Sequence, residues 1–463
     1  MPYKLIYLTR PLLAILFFGS CISINAQTVF PLKLSESKTY LADGNNKPFL
    51  IKEFSAWALI QALSEKDEAA FLDSIKQKGF NTVITGIICN APSQMTGNPP
   101  FWQGVSPFNV QWDFSTPNEK YFEHADRFFK MAEQKDFFVM VLPCYMGYTE
   151  DASQGWWNEL LNGKNDTLKM KKYGEFLGKR YQNTNNIMWV LGGDNNCSGE
   201  LFAYVNNLIE GMKEFDKDHL WTGHFDMNRG SVWSTDNKPF SKYIDVDGEY
   251  VWTESVLFER GPQYKSELSH HNKGRMIMQL DQSYEQDVPH FADNENYQWI
   301  RRKMYDGLLS GCAGTSFSSG DMYNQCYSFK NWKPLMNTQG MQQVSYCFKL
   351  FEKLPWQKFI PDETNNTITK GRENFGSKDY ICAARASDSS CYVVYIPEGQ
   401  SFEMNAKAIS GKPMRMNWYN PRTGEVIKIG TCETRDRYGI DPPTGDDWVL
   451  VFYDVNLNLF GTN

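Results

Sequence analysis

Between Lys47 and Ser319 the chain alternates short apolar runs of strand length with longer stretches in which apolar residues recur every three or four positions. That rhythm predicts repeated βα units around a parallel sheet. The strand-like runs are Phe49 to Trp57, Thr82 to Cys89, Phe137 to Tyr145, Ile187 to Asp194, Trp221 to Phe225, Tyr243 to Val251, Arg275 to Asp281 and Gly314 to Ser319. Helices are predicted over Ser64 to Lys78, Pro117 to Gln134, Thr167 to Tyr181, Ser198 to Phe215, Asn294 to Leu309 and Gln339 to Lys353. The first of these opens on Ser64-Glu65-Lys66-Asp67-Glu68, a capped and acidic start, and stops at Gly79. Eight strands with crossover helices in ~250 residues have the size and rhythm of a (β/α)8 TIM barrel. A doubly wound open sheet is the competing arrangement, but no Gly-x-Gly-x-x-Gly opens a helix.

Beyond Pro355-Trp356 the helical period is gone. Short alternating runs such as Tyr380 to Ala384, Cys391 to Ile396 and Trp448 to Tyr453 are separated by Gly, Asp and Asn turns, including Asn420-Pro421-Arg422-Thr423-Gly424. This predicts a small all-β antiparallel sandwich packed closely on the barrel. The fold class is therefore α/β, with a barrel over residues 27–360 and a sandwich over residues 361–463.

At 463 residues the chain exceeds what one core usually organises. Its 41% hydrophobic and 22% charged residues suit globular domains. The net charge of -7 disfavours a nucleic-acid or anionic-membrane partner, since both call for a basic face. Lys4 and Arg10 precede an apolar run, Pro11 to Ile24, that ends before Ala26. Residues 1–26 thus read as a secretory signal peptide, too short to span a membrane, and the expected location is secreted or periplasmic. Lipid anchoring at Cys21 is the alternative fate. Ten cysteines without tight spacing do not form a disulfide scaffold. Cys89, Cys144 and Cys312 read as small buried hydrophobes, whereas Cys382 and Cys391 would face each other across a hairpin.

In a TIM barrel the reacting groups sit at the carboxyl ends of the strands. The fourth strand runs into Gly192-Gly193-Asp194, where two glycines permit a sharp turn and aim Asp194 at the barrel axis. The seventh runs into Asp281, with Glu285 four residues on. A glycosidic bond is broken by an acid on one side and a carboxylate on the other, held ~5 Å apart in a retaining enzyme. Asp194, Asp281 and Glu285 are the catalytic candidates. An Asp after Gly-Gly also suits a plain turn or helix cap. Trp57, Tyr145, Trp156, Asn195, His224, Glu249, Tyr250 and Tyr284 are the substrate-binding candidates, although aromatic residues near strand ends also serve as packing. The six His are dispersed and no His-Glu-x-x-His occurs, so neither metal nor cofactor is expected. No Gly-x-Ser-x-Gly follows a strand, which disfavours a serine hydrolase.

In order and spacing, Lys47-Pro48-Phe49, Ser55-Ala56-Trp57, Gly79-Phe80-Asn81, Gly192-Gly193-Asp194, Tyr284-Glu285 and Ser310-Gly311-Cys312-Ala313-Gly314 resemble the apiosidase-like glycoside hydrolases, family 140. Asn417-Trp418-Tyr419-Asn420-Pro421-Arg422-Thr423-Gly424 resembles the collagen-binding-type sandwich that follows such barrels. The resemblance spans nearly the whole mature chain. It implies a secreted, retaining glycosidase acting on an oligosaccharide or on side chains of a plant or host polysaccharide, with Asp194 as acid/base and Asp281 in the place of the family's nucleophilic glutamate. Two further positions depart from the family pattern. Phe54 stands where the family has Asp, and Thr315 stands where it has His, so the resemblance does not carry apiose over as the sugar. A barrel that binds glycans without cleaving them is the second reading, and the expected oligomeric state is a monomer.

Overall fold

The computed structural model describes residues 27–89, 102–148, 155–251, 263–280, 283–285, 293–319, 332–432 and 437–461. Among these, eight parallel strands form the barrel: β1 (Ile51–Ser55), β2 (Thr82–Gly86), β3 (Phe138–Leu142), β4 (Ile187–Gly192), β5 (Trp221–His224), β6 (Asp247–Glu249), β7 (Ile277–Gln279) and β8 (Gly314–Ser319). β8, β1, β2, β3, β4 and β5 follow one another as parallel neighbours, β7 pairs with β6, and a short strand segment beyond β7, Tyr284–Glu285, pairs in parallel with β8. Main-chain bonds close the circle, from Val246 N to Trp221 O at 3.1 Å and from Ala313 N to Ile277 O at 2.8 Å. The seam between β5 and β6 is completed by a side chain. The Ser234 hydroxyl accepts from Gly223 N at 3.1 Å and Gly248 N at 3.0 Å and donates to Gly223 O at 2.6 Å. A hydroxyl is both donor and acceptor, so it can replace a missing ladder rung.

The outer helices are α1 (Glu65–Gln77), α2 (Glu119–Gln134), α3 (Thr167–Tyr181), α4 (Glu200–Phe215), α5 (Gln263–His271), α6 (Asp293–Leu309) and α7 (Gln339–Phe351). Their starts obey local capping chemistry: the side chains of Ser64, Asn118, Asp166 and Thr338 each accept a backbone N–H of the first turn. α1 ends as expected, with Gly79 at φ 96°. The strand expected from Tyr243 is confined to Asp247–Glu249, because Ser241–Tyr243 forms a 3-10 turn. α5 has weak amphipathic patterning and was not legible in the sequence.

Successive strand residues face opposite ways. Phe54 lies outside the barrel, its ring 5.5 Å from Phe71, 5.3 Å from Phe80 and 6.1 Å from Phe317. Glu53 and Ser55 share the opposite, inner face, where the Ser55 hydroxyl donates to Glu53 Oε1 at 2.7 Å. The exchange of Asp for Phe54 therefore alters the helix layer and not the pocket, contrary to the expectation from sequence.

The sandwich comprises β9 (Phe359–Pro361), β10 (Ile368–Lys370), β11 (Cys382–Ala386), β12 (Cys391–Ile396), β13 (Phe402–Met404), β14 (Met414–Tyr419), β15 (Val426–Cys432), β16 (Tyr438–Ile440) and β17 (Trp448–Asp454). Its large sheet has the order β9-β11-β12-β17-β14-β15, and its small sheet β10-β13-β16. The large sheet buries both faces. Val393, Tyr395, Val449 and Val451 join the barrel core, while Tyr392, Val394, Leu450 and Phe452 form a second core against the small sheet. Double burial explains why β12 reads as an unbroken apolar run. Trp418 and Tyr419 are core residues. Cys382 pairs in register with Tyr395, and Cys391 with Tyr453, so the two cysteines do not face each other and both are free thiols. The hairpin is real, but its register sets Cys391 beside the turn and Cys382 at the far end.

Candidate active site

Gly192, Gly193 and Asp194 carry φ of 84°, 83° and 56° in succession. Three left-handed residues in a row turn the chain back over the end of β4, and glycine makes the first two affordable. A Cβ on Gly192 would lie 2.4 Å from His224 O, and one on Gly193 would lie 2.3 Å from Tyr145 Cδ2. The turn is stitched to both neighbouring strands. Met146 N and Gly147 N donate to Gly192 O and Gly193 O at 3.0 and 2.9 Å, and Gly193 N donates to His224 O at 2.7 Å. Asp194, a non-glycine residue, is held in a left-handed conformation by this stitching, which is the kind of local strain that rigid surroundings sustain.

The Asp194 carboxylate is 17% exposed. The Tyr145 hydroxyl donates to its Oδ2 at 2.5 Å. The Asp194 backbone N–H donates to His224 Nδ1 at 3.2 Å, which places the ring hydrogen of His224 on Nε2. Aromatic rings enclose the group. Trp57 lies 5.3 Å from Tyr145 and 4.9 Å from His224, and Tyr250 lies 3.8 Å from His224. Trp57 Nε1 donates to the Tyr284 hydroxyl at 3.4 Å. Asp194, Tyr145, His224, Trp57, Tyr250 and Tyr284, drawn from the ends of six different strands, thus converge as the sequence predicts. Asp281 lies outside the described residues.

Four other candidates sit elsewhere. Glu285 is in register with Ser319, on the pleat face opposite to Tyr284 and Ser318. Its buried carboxylate accepts from the Thr338 hydroxyl at 2.5 Å and from Gly340 N at 2.9 Å, so it anchors the amino terminus of α7. Glu249 faces the helix layer on the same side as Gln279 and accepts from Gln263 Nε2 at 3.0 Å. With Glu249 beside it, the buried carboxyl of Glu267 is held well above its usual value, chiefly by desolvation. Trp156 is buried among Phe108, Phe114 and Trp112, with ring centroids 5.4 to 5.7 Å away. Asn195 braces the loop, donating to Gly147 O at 2.8 Å and accepting from Cys197 N at 2.7 Å. For Glu249 and Glu285 the cause is that proximity to a strand end does not fix which pleat face a side chain takes; Trp156 and Asn195 lie beyond their strands, on loops whose packing directs them.

Asp226, on the loop after β5, was missed. Burial, with the charge of Asp194 as a further contributor, raises its carboxyl above the ordinary value. It caps a short turn, accepting from Asn228 N at 2.9 Å. Among the described residues no group of three or more His, Cys, Asp or Glu side chains is arranged to hold a metal ion, and no helix is long and apolar enough to cross a membrane.

Residues 360–453 match the family model described as "Putative collagen-binding domain of a collagenase". A solved structure named glycoside hydrolase is 20% identical, with a TM-score of 0.72, covering 94% of this chain and 100% of that one. A glycoside hydrolase family 5 structure from Bacteroides vulgatus is 19% identical, with a TM-score of 0.74, covering 94% and 96%. At such identities these likenesses concern the fold. No curated protein matches the chain. The model described as "Apiosidase-like, catalytic domain" matches residues 35–358, which include the whole barrel and the Gly-Gly-Asp turn. The chain belongs to the apiosidase-like family of glycoside hydrolases.

Proposed function

We propose that the protein is an exported, retaining glycosidase that removes or shortens side chains of a plant or host polysaccharide, with Asp194 as its acid/base. The observation that carries this reading is the Asp194 carboxylate, partly open to solvent and oriented by Tyr145 and His224 within a ring of aromatic faces. Aromatic faces pack on the C–H faces of sugar rings, and a positioned carboxylic acid protonates the departing glycosidic oxygen. The family resemblance gives Asp281 the role of nucleophile. In the first half-reaction Asp281 forms a bond to the anomeric carbon as Asp194 delivers its proton to the leaving oxygen. In the second, Asp194 takes a proton from water, whose oxygen displaces Asp281 and returns the anomeric configuration to its starting hand. Export follows from the leader at residues 1–26.

The test combines stereochemistry with chemical rescue. NMR of the fresh product should show the substrate's anomeric configuration. Asp194→Ala should lose turnover of poor leaving groups, keep activity on activated aryl glycosides, and give a glycosyl azide of retained configuration when azide is added. Inverted product would overturn the retaining mechanism, and unchanged turnover of poor leaving groups would remove Asp194 from its role. Saturable glycan binding with no bond cleavage would favour the non-catalytic reading instead.

A further inference from the structure

A cleft of about 790 Å³ lies where the barrel meets the sandwich. One wall is built from α6 and α7, carrying Gln298, Gln342 and Tyr346, and the other from sandwich loops carrying Glu398, Arg422 and Thr423. Its floor is a buried ion network. Arg301 grips Asp447 through Nε at 2.7 Å and Nη2 at 2.8 Å, the two side chains being 6% and 1% exposed. Arg422 Nη1 reaches the same carboxylate at 2.9 Å, and Glu398 pairs with Arg302 at 2.8 Å. The charges satisfy one another, so the cleft offers no uncompensated charge for an ionic ligand.

The groups left over are hydrogen-bonding and neutral. The Gln343 amide oxygen accepts from Arg301 Nη1 at 2.6 Å, which leaves its amide nitrogen uncommitted. Gln298 donates through Nε2 to Pro397 O at 2.7 Å and keeps its amide oxygen available. Among the described residues the side-chain amides of Gln339 and Gln342 and the hydroxyl of Tyr346 have no protein partner. Planar amides with both donors and acceptors suit the paired donor and acceptor character of sugar hydroxyls. The tight turn Asn420-Pro421-Arg422-Thr423-Gly424 holds the site in shape. Gly424, at φ +75°, packs on Tyr346 so closely that a Cβ there would lie 2.7 Å from the ring, and Arg422 of the same turn completes the floor.

The cleft is next to the catalytic end of the barrel. The first turn of α7, which carries Gln339, is held by Glu285 on the strand segment that also presents Tyr284 to the mouth. We infer that the domain seam is a second, non-catalytic saccharide site that holds a neutral stretch of the polymer under attack. This rests on the glycosidase reading above. It gives the sandwich a physical role: the sandwich supplies half of the cleft and locks its floor.

Native affinity electrophoresis in gels containing soluble arabinogalactan or galactomannan tests the site without requiring turnover. At least one polymer should retard both the wild type and Asp194→Asn, and Gln339→Ala/Gln342→Ala should weaken that retardation about 10-fold or more. On the same polymer the double variant should raise KM about 10-fold with kcat kept, and leave hydrolysis of a small aryl glycoside unchanged. Thermal melting checks the fold, and Gln339→Ala alone, at an exposed position, serves if the double variant is unstable. Retardation indifferent to these substitutions, or absent with every polymer, would overturn the inference even if hydrolysis is seen. Seam-dependent retardation without hydrolysis would overturn the catalytic reading alone.

Discussion

The backbone N–H of Asp194 donates to Nδ1 of His224 across 3.2 Å, so the turn just beyond β4 and the residue that ends β5 fix each other's orientation. His224 is itself clasped between Trp57 and Tyr250. The carboxylate thus inherits its position from backbone bonds and ring packing, before any substrate arrives. Preorganisation of this kind lets a proton be delivered without rearrangement in the transition state.

Tyr145→Phe removes the hydroxyl that donates to Asp194 Oδ2 while keeping the ring against Gly193. We expect kcat to fall by about 10- to 100-fold, in the range of a positioned proton-transfer partner, with little change in KM. Steady-state kinetics across pH would check this, and a change confined to KM would show that Tyr145 only contacts the sugar.

Gly193→Ala places a Cβ 2.3 Å from Tyr145 Cδ2 at φ +83°. The turn must shift, and Asp194 with it. Stability should fall by about 1 to 3 kcal/mol, and kcat by about 100-fold from misplacement of the acid. Thermal unfolding and single-turnover rates measured on the same preparation separate the two effects.

Glu285→Gln tests whether that carboxylate does chemistry or anchors α7. A Gln side chain keeps an acceptor for Gly340 N, so turnover should stay within a few-fold of wild type while stability drops by about 1 kcal/mol through loss of a charge at a helix amino terminus. Loss of turnover by a factor of a thousand or more at unchanged stability would return Glu285 to the catalytic set.

Asp447→Asn leaves Arg301 buried at the domain seam without its counter-charge. A loss of about 3 to 5 kcal/mol is expected. Because one face of the large sheet belongs to the barrel core, chemical denaturation should show one transition at a lower midpoint, and not early release of an intact sandwich.

Stability should decline as pH rises through weak acid. Desolvation raises the Glu68 carboxyl from 4.5 to about 7 despite His124 Nε2 at 3.2 Å, and burial raises Asp306 from 3.8 to about 7. The unfolded chain releases these protons first. The contribution is therefore complete below about pH 4 and is lost on approach to about pH 7. For Glu68 the interval from 4.5 to about 7 corresponds to at most about 3 kcal/mol. Glu68→Gln should flatten the pH dependence of the unfolding midpoint in this window, and an unaltered slope would show that Glu68 is ionised in the folded protein.

By itself the sequence determined the order of the strands and of the helices other than α5, the capped start and glycine stop of α1, the change to a sandwich after Pro355, and the Gly-Gly-Asp turn. Each of these is local: side-chain period, capping hydroxyls and left-handed glycines act within a few residues. Six mouth residues were legible for the same reason, since each lies at or within a few residues of the carboxyl end of a strand. Only the tertiary structure decided which acids and rings gather at the barrel mouth. Glu249 and Glu285 turn to the helix layer because pleat direction is set by register with Gln279 and Ser319, which are distant in sequence. Phe54 leaves the pocket for the same reason. Ser234 completing the β5–β6 seam, and Arg301 meeting Asp447 across the domains, depend on long-range packing that no local pattern encodes.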